Sequence, residues 1–250
     1  MKGVKGVVLC GGEGKRLRPI SYYFQKTMIP VGRSQKPLLE YVIRLLRFHG
    51  IIDLALLVGY KAEQIVNYFE DGSRLDVSIT YVYDDPEMRG TAGSVLNAYK
   101  KKAIDKNETL LIYYGDILTN MNLQDFLRYH GEKNAKATVA LAKGFTVRVG
   151  VADVDREGRI RSFREKPKLE KPVSIAIVAL DAEAIRDIEH LMSGRKELDL
   201  MGDVIPYIMK TEKNVYGYIT DAFWYDVGST EAYEKLDINK VEEMLGFLYR

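Results

Sequence analysis

The feature that most constrains this chain is the regular alternation of short apolar segments with amphipathic ones along its first 115 residues. Apolar runs at Val4–Cys10, Leu54–Val58 and Leu110–Tyr114 each end at a glycine. Between them, Pro37–His49 and Ala92–Lys102 carry apolar residues at helical spacing. This alternation predicts a largely parallel sheet with helices on both faces. Ligands of such sheets bind beyond the carboxyl ends of the strands, where the glycine-rich and acidic corners of this sequence lie.

The pattern changes after about residue 135. Four segments there resemble strands, namely Lys136–Ala142, Val149–Val154, Ile160–Phe163 and Val173–Leu180. Helical patterns follow at 182–192 and 201–210, then strands at 215–219 and 222–227 and one closing helix over Thr230–Leu248. No linker rich in proline, glycine or serine separates the parts. We therefore expect a single α/β domain over residues 1–250, with halves at about 1–135 and 136–250.

Composition and charge exclude several classes of protein. The 37 Lys and Arg residues nearly balance the 35 Asp and Glu residues, so no basic surface for nucleic acid is expected. No stretch approaches the roughly 18 apolar residues of a membrane span. The only cysteine, Cys10, precludes an intramolecular disulfide and fits a reducing compartment. We expect a cytoplasmic protein that binds neither nucleic acid nor membrane.

The glycine-rich corner after the first strand is the most informative stretch. Three glycines fall within positions 11–14, and three cations follow them at positions 15, 16 and 18. Glycines let backbone amides approach a ligand, and clustered amides with cations favour a polyphosphate, although a tight turn with solvated basic residues uses the same pattern. Two nucleotide-binding motifs are not matched. Leu9 and Arg16 break a Walker A loop, and Leu17 replaces the third glycine of the dinucleotide fingerprint.

Motifs along almost the whole chain carry a family resemblance. Residues 11–19 read Gly-Gly-x-Gly-x-Arg-Leu-x-Pro, and Lys26 follows them. Further motifs, in order, are Pro30-Val31, Pro37-Leu38, Gly59-Tyr60, Gly90-Thr91-Ala92-Gly93, Gly115-Asp116, Phe163 with Glu165-Lys166-Pro167, and Trp224-Tyr225-Asp226-Val227-Gly228. Together they resemble the sugar-phosphate nucleotidyltransferases, or NDP-sugar pyrophosphorylases. The resemblance implies a Rossmann-like domain with a mostly parallel sheet, a nucleotide-binding first half and a smaller, β-rich, sugar-phosphate-binding second half.

The resemblance also implies a reaction and the residues that perform it. A nucleotidyl group passes from a nucleoside triphosphate to a sugar 1-phosphate, and pyrophosphate leaves. Mg²⁺ is the implied cofactor, held by Asp116 and Asp226, whose hard carboxylate oxygens suit it. Arg16 and Lys26 are the implied catalytic cations. The implied nucleotide-binding residues are Leu9, Gly11, Gly12, Gly14, Asp85, Gly90 and Thr91, and the implied sugar-phosphate-binding residues are Gly150, Glu165 and Lys166.

The chain departs from the family pattern at several positions. Gln25 replaces a usual proline before Lys26, and Arg89 replaces a usual leucine before Gly90. Ser174–Val178 replaces an Asn-x-Gly-x-Tyr segment of the sugar pocket. The sequence ends at Arg250, so we expect it to lack the C-terminal domain of many relatives. A catalytically silent regulatory protein that binds sugar nucleotides therefore stays an alternative function. Separately, the chain could form a homo-oligomer.

The choice of base depends on Asp85. Relatives that transfer thymidylyl or uridylyl groups commonly have glutamine five residues before the glycine that corresponds to Gly90. The present chain has Asp85 at that position. A carboxylate only accepts hydrogen bonds, and guanine offers N1–H and N2–H₂ side by side. The segment resembles that of mannose-1-phosphate guanylyltransferases. We expect GTP and a mannose-like hexose 1-phosphate as substrates, with UTP or dTTP and glucose 1-phosphate as the alternative.

Overall fold

The computed structural model describes residues 3–147, 149–212 and 214–249. In these ranges the strands are β1 (Val4–Cys10), β2 (Pro30–Val31), β3 (Lys36–Pro37), β4 (Asp53–Val58), β5 (Ser78–Tyr83), β6 (Thr109–Tyr114), β7 (Ile117–Thr119), β8 (Ala137–Ala142), β9 (Val151–Val154), β10 (Ile160–Arg164), β11 (Val173–Asp181), β12 (Val215–Thr220) and β13 (Trp224–Asp226). The α-helices are α1 (Leu38–Phe48), α2 (Ala62–Phe69), α3 (Gly90–Lys100), α4 (Leu123–Glu132), α5 (Ile185–Met192), α6 (Ile205–Thr211), α7 (Thr230–Glu234) and α8 (Ile238–Leu245).

The centre of the described chain is a seven-stranded sheet in the order β12-β8-β11-β6-β1-β4-β5. All neighbouring pairs are parallel except the two that involve β11, which runs against the rest. Short apolar strands joined by helical crossovers give this arrangement because the crossover covers a face of the sheet. The expected α/β fold with a mostly parallel sheet is confirmed.

Strand β1 shows how the sheet divides the core into two layers. Successive side chains of a strand point to opposite faces. Val8 and Cys10 accordingly pack into the core beneath α1, α2, α4 and α8. Val7 faces the core beneath α3, α5 and α6. Because both faces are covered, the second half of β1, residues 7–10, reads in the sequence as a continuous apolar run.

Two helical expectations need correction, and one helix was not expected. The closing helix expected over Thr230–Leu248 is wrong, because α7 and α8 are separate and Asp237 caps α8 by accepting from the backbone N–H groups of Asn239 and Lys240. The segment expected as helix over 201–210 begins as a π-helical turn over Leu200–Val204 before α6. The sequence reading also passed over α4, whose N-cap is Asn122.

Two small antiparallel pairs stand outside the central sheet and matter for the site. Strand β13 pairs with β7, with Asp226 opposite Ile117 and Trp224 opposite Thr119. Strand β10 pairs with β9, and every residue of both strands is exposed. In the described ranges, no helix is long and apolar enough to cross a membrane.

Candidate functional site

The carboxyl ends of four parallel strands meet at one edge of the sheet. Register places Leu9 of β1 beside Leu57 of β4 and Tyr114 of β6, and Val58 beside Tyr83. The loops that follow these strands therefore share one region, as expected for an open parallel sheet. They carry the glycines at 11–14 and the carboxylates at 84, 85 and 116.

Two distant aspartates are brought together at this edge. Asp116 follows β6 and is 7% exposed. The β7–β13 pairing brings Asp226 alongside it, and the Val227 N–H donates to the Asp116 carbonyl at 3.0 Å. Burial and the negative charge of Asp116 raise the pKa of the Asp226 carboxyl, although Lys26 and Arg16 oppose the shift. A pair of carboxylates that repel each other in this way is suited to a cation.

Two cations face the carboxylate pair. The Lys26 ammonium donates to Asp116 Oδ2 at 2.7 Å, and both side chains are largely buried. Arg16 Nη2 and Asp226 Oδ1 both lie close to Gly228, since a Cβ at that glycine would lie 3.1 Å from the first and 2.6 Å from the second. A side chain at 228 would therefore displace the Asp226 carboxylate. Arg16, Lys26 and Gly228 line a recess of about 380 Å³ with Gly14.

The glycine-rich loop presents its backbone to a neighbouring, larger cleft. A Cβ at Gly12 would meet no heavy atom within 4 Å, so the space over this residue is open. Gly14 has φ +63° and lies against Lys26, where a Cβ would be 3.2 Å from the Lys26 Cβ. Leu17, which follows this loop, is fully buried and anchors it in the core. Glycine at 14 is thus needed both for the turn and for the approach of the lysine.

Gln25, the residue in place of the usual proline, anchors the Lys26 segment. Its side chain is fully buried. The Gln25 amide donates to the Cys10 carbonyl at 2.5 Å and accepts from Thr27 N at 2.5 Å and Thr27 Oγ1 at 2.7 Å. The Gln25 N–H donates to Gln64 Oε1 at 2.6 Å. These bonds tie the turn that carries Lys26 to the end of β1, so the departure has a structural use.

The larger cleft has a volume of about 740 Å³. It contains six of the residues expected to bind nucleotide, with Lys26 and Asp116 at its edge: Leu9, Gly11, Gly12, Asp85, Gly90 and Thr91. The sequence analysis did not single out other residues of its lining, among them Asp84, Met88, Ser94, Tyr114 and Glu197. Burial raises the pKa of Tyr114 to about 12, and the charges of Asp199 and Asp116 add to the shift. Tyr114 is therefore a neutral hydroxyl in this cleft.

Two adjacent aspartates line the cleft in different ways. The Asp85 Oδ1 accepts from Glu87 N at 2.9 Å, which fixes the carboxylate in an Asx turn. Asp84 packs against the backbone of Gly11 and Gly59, where a Cβ would lie 2.5 and 1.9 Å from its Oδ2. Burial raises the pKa of Asp84, with Ser94 and Lys101 acting against the shift. Glycines at 11 and 59 thus make room for a carboxylate that the sequence reading had passed over.

The residues expected to bind the sugar phosphate flank the β9–β10 arm, with Gly150 just before β9 and Glu165 and Lys166 just after β10. Gly150 and Glu165 are neighbours, since a Cβ at 150 would be 3.0 Å from Glu165 Oε2. The Lys166 Nζ lies 3.9 Å from Glu165 Oε1, and the Lys166 backbone has φ +45°. Among the described residues, no hydrogen bond or ion pair joins these three to Arg16, Lys26 or the carboxylate pair. The base of the arm is linked to β13 by Phe145, which stacks on Trp224 with ring centroids 6.2 Å apart.

The altered segment Ser174–Val178 keeps an unusual backbone conformation. The pairing of β11 with β8 shifts register between Ser174 and Val178. Ala176 has φ +58° at the position where relatives usually have glycine. The Ala176 N–H donates to Ser174 Oγ at 3.2 Å. The bulge therefore forms without the glycine, at a cost of about 1–2 kcal/mol for a left-handed non-glycine residue.

The donor set at the carboxylate pair fits Mg²⁺. Across the residues that the structure describes, no group of three or more His, Cys, Asp and Glu side chains could enclose a metal. Asp116 and Asp226 supply hard oxygens from two positions only. Mg²⁺ suits such a site, because it keeps several waters and takes its other ligands from substrate phosphates. A closed tetrahedral site for zinc would need four protein ligands.

Known proteins with a related sequence are nucleotidyltransferases. The profile of the family described as "Nucleotidyl transferase" matches residues 5–242. The UTP–glucose-1-phosphate uridylyltransferase of Synechocystis sp. is 32% identical over 244 residues, covering 92% of this chain and 61% of the relative. The mannose-1-phosphate guanylyltransferase of Mycobacterium tuberculosis is 30% identical over 230 residues, covering 91% and 62%. This chain thus spans about three fifths of the length of these curated relatives.

Solved structures share the fold at low sequence identity. HddC from Yersinia pseudotuberculosis has a TM-score of 0.71 at 22% identity, covering 94% of this chain and 98% of that chain. A Bacillus anthracis protein crystallised with sucrose has a TM-score of 0.75 at 23% identity, covering 96% and 95%. The arrangement of sheet and helices is therefore one that known proteins adopt.

Proposed function

Since the chain belongs to the nucleotidyl transferase family, we propose that it transfers a nucleotidyl group from a nucleoside triphosphate to a sugar 1-phosphate with the help of Mg²⁺. Two carboxylates and two cations face one another at the edge of the large cleft, and this observation carries the proposal. Asp116 pairs with Lys26 at 2.7 Å, and the charges of Asp116, Lys26 and Arg16 all act on Asp226. Negative and positive groups in this order suit a site that holds a metal and several phosphates together.

The residues present are sufficient for an in-line displacement. A phosphate oxygen of the acceptor bonds to the α-phosphorus, the bond from that phosphorus to the bridging oxygen breaks, and pyrophosphate leaves with that electron pair. The nucleophile is already an anion, so no side chain has to remove a proton. Bound Mg²⁺ would screen the charge on the triphosphate, with Asp116 and Asp226 as its protein ligands.

The cations would act on the negative charge that moves during transfer. Arg16 has a planar fork suited to two oxygens of the leaving pyrophosphate. Lys26 would neutralise charge near the α-phosphate, from a backbone turn held in place by Gln25. Glu165 and Lys166, on the exposed arm, would hold the sugar hydroxyls and the acceptor phosphate, with Gly150 beside them. Orientation and preorganised charge then account for the rate.

A screen for pyrophosphate release tests this activity. All common nucleoside triphosphates are paired with a panel of sugar 1-phosphates in the presence of Mg²⁺, and pyrophosphate is measured. We expect turnover with at least one pair and none in the Asp226→Asn variant. Absence of turnover with every pair would instead favour the regulatory alternative, which the altered Ser174–Val178 segment supports.

For the base, we propose guanine, read by Asp85. The relatives include both uridylyl- and guanylyltransferases by name, so similarity does not select the nucleotide. The cleft lining is rich in acceptors, with Asp84, Asp85 and Glu197. The Asx turn fixes Asp85, and each of its oxygens has two lone pairs, so both oxygens can still accept from N1–H and N2–H₂. A mannose-like hexose 1-phosphate is the corresponding acceptor.

The base proposal is tested by substituting each aspartate separately. Asp85→Gln should lower kcat/KM for GTP and shift preference toward UTP or dTTP, because an amide both donates and accepts. Loss of one matched pair of polar contacts corresponds to about 10- to 100-fold. Asp84→Asn is the matched control, being adjacent and in the same cleft. A wild type that prefers UTP or dTTP, or a GTP preference that only Asp84→Asn alters, rejects the assignment to Asp85.

A further inference from the structure

One wall of the large cleft, the loop at 89–92, is hydrogen-bonded to a segment at 196–198. The two segments are more than a hundred positions apart in sequence. The Arg89 N–H donates to the Lys196 carbonyl at 2.8 Å, and the Leu198 N–H donates to the Arg89 carbonyl at 3.0 Å. The Ala92 N–H in turn donates to the Leu198 carbonyl at 3.0 Å. At Gly90, with φ +80°, a Cβ would lie only 2.4 Å from the Leu198 carbonyl oxygen. The loop before α3 and residues 196–200 are thus in direct backbone contact.

A side-chain network completes this attachment. The Thr91 hydroxyl donates to Asp199 Oδ2 at 2.8 Å and accepts from the Leu200 N–H at 2.7 Å. The second oxygen of Asp199 accepts from Gly202 N at 2.6 Å. The Tyr114 side chain is a further hydrogen-bond partner of Thr91. The single proton of the Thr91 hydroxyl is therefore committed within the protein. Although Thr91 lines the cleft, its side chain has no proton left to donate to a nucleotide.

We propose that Asp199 is a positioning residue for the nucleotide. Acting through the Thr91 hydroxyl, it holds the backbone of Gly90 and Thr91 at the cleft surface against which the nucleoside triphosphate binds. Thr91 in this view contributes its main chain, and its side chain serves the attachment. The inference rests on the proposed function only in taking the large cleft as the site of the nucleotide.

The arrangement predicts an effect confined to one substrate. The acceptor residues flank the β9–β10 arm, and among the described residues no hydrogen bond or ion pair connects that arm to Asp199 or Thr91. Loosening the loop should therefore weaken binding of the triphosphate and leave binding of the sugar 1-phosphate unchanged. A loss of general stability would affect both substrates and the melting temperature.

The test compares Thr91→Val, which keeps the shape but removes the hydroxyl, with Thr91→Ser, which keeps the hydroxyl. Binding of GTP, UTP and dTTP is measured by calorimetry without acceptor, and KM is measured for both substrates. We expect Thr91→Val to weaken triphosphate binding about tenfold, the scale of one lost hydrogen bond to a charged group. Thr91→Ser should bind within about twofold of the wild type, which is less than the effect of a typical hydrogen bond.

A double-mutant cycle separates positioning through Asp199 from an independent role of Thr91. If the two act as a unit, adding Thr91→Val to Asp199→Ala causes little further loss of binding. Asp203→Asn is the control and should leave triphosphate binding unchanged, because an asparagine amide oxygen still accepts from the Asp199 N–H in the same turn. Additive losses, a Thr91→Ser protein as weak as Thr91→Val, or equal losses for both substrates would overturn the inference.

The same measurements distinguish this inference from the proposed function. A wild type that binds triphosphate without turnover rejects the transferase activity, and the binding data still decide the role of Asp199. A wild type that binds no nucleoside triphosphate overturns both.

Discussion

At the scale of single residues, Asp226 illustrates a conflict between stability and activity. Its ionised form is disfavoured in the folded protein by burial and by Asp116, which together raise its pKa. In a metal-free protein at neutral pH, the negative charge on this side chain therefore opposes folding. The proposed function accounts for this residue, because a cation site requires the charge that the fold disfavours.

We predict that Asp226→Asn abolishes turnover without lowering the melting temperature in metal-free buffer at neutral pH. The substitution removes charge and keeps the shape, which relieves the repulsion with Asp116. Thermal melting and pyrophosphate release, both with and without Mg²⁺, check the two parts. Near wild-type turnover at low Mg²⁺ would contradict the assignment of Asp226 as a ligand.

Arg16 offers a second test at this scale. Removing one preorganised charge-stabilising donor typically costs about 10²- to 10³-fold in rate, so Arg16→Ala should lower kcat by about that factor. Arg16→Lys should recover only part of the loss, because an ammonium lacks the planar fork. Steady-state kinetics measure both. Lys15→Ala is a matched control, since the neighbouring Lys15 side chain is exposed and paired with Glu13. Full activity in Arg16→Lys would mean that a point charge suffices.

At the scale of elements, the end of α1 carries a titratable group with a structural role. His49 follows the helix, and its Nδ1 lies 3.0 Å from the Leu45 carbonyl. Burial lowers the pKa of His49 below its ordinary value of 6.5, although Leu45 and Asp125 oppose the shift. The folded protein therefore favours the neutral ring more than the unfolded chain does.

We predict that the free energy of unfolding falls as the pH drops below about 6.5, because the unfolded chain takes up a proton on His49 before the folded protein does. The contribution is fully present above that pH and is lost as the pH approaches the lower, folded-state pKa. Denaturant titrations between pH 5.5 and about 7.5 measure it. His49→Gln should flatten the dependence, and a profile that this substitution leaves unchanged would contradict the prediction.

The sequence predicted elements well where their pattern is local, and the boundaries of β1, β4, β6 and α1 agree to within about a residue. It was wrong for the closing helix because a single capping residue, Asp237, divides it. The glycine-rich loop could be read from residues adjacent in sequence. Asp199 and Glu197 could not, since their link to Thr91 and Arg89 spans more than a hundred positions and leaves no periodic pattern.

At the scale of the whole molecule, stability is distributed unevenly. The central sheet is buried on both faces, whereas the β9–β10 arm is a two-stranded ribbon exposed on all residues. Isolated ribbons of this kind are at best marginally stable in water. The arm carries the proposed acceptor residues, so the part of the molecule that would select the sugar is also the part with least support from the core.

We predict that amide hydrogens over 151–164 exchange faster than those of β1 and β6, because few buried contacts oppose their opening. A sugar 1-phosphate should slow exchange in the arm, whereas a nucleoside triphosphate alone should slow it at 11–14 and 89–92. Hydrogen exchange followed by mass spectrometry resolves these segments. Protection by the sugar phosphate confined to the large cleft would place the acceptor elsewhere.

Because β7 pairs with β13, the carboxylate pair is completed only after the second of these strands has been synthesised. Asp226 follows Asp116 by 110 positions, and Lys196–Leu200 lies between them in sequence. A ribosome that adds about 5–20 residues per second makes the second carboxylate roughly 5–20 s after the first. Until then, the emerging chain has the glycine-rich loop and Lys26 but only one of the two aspartates. On the proposed function, the groups that attract phosphate are thus made early, and the carboxylate pair is completed late.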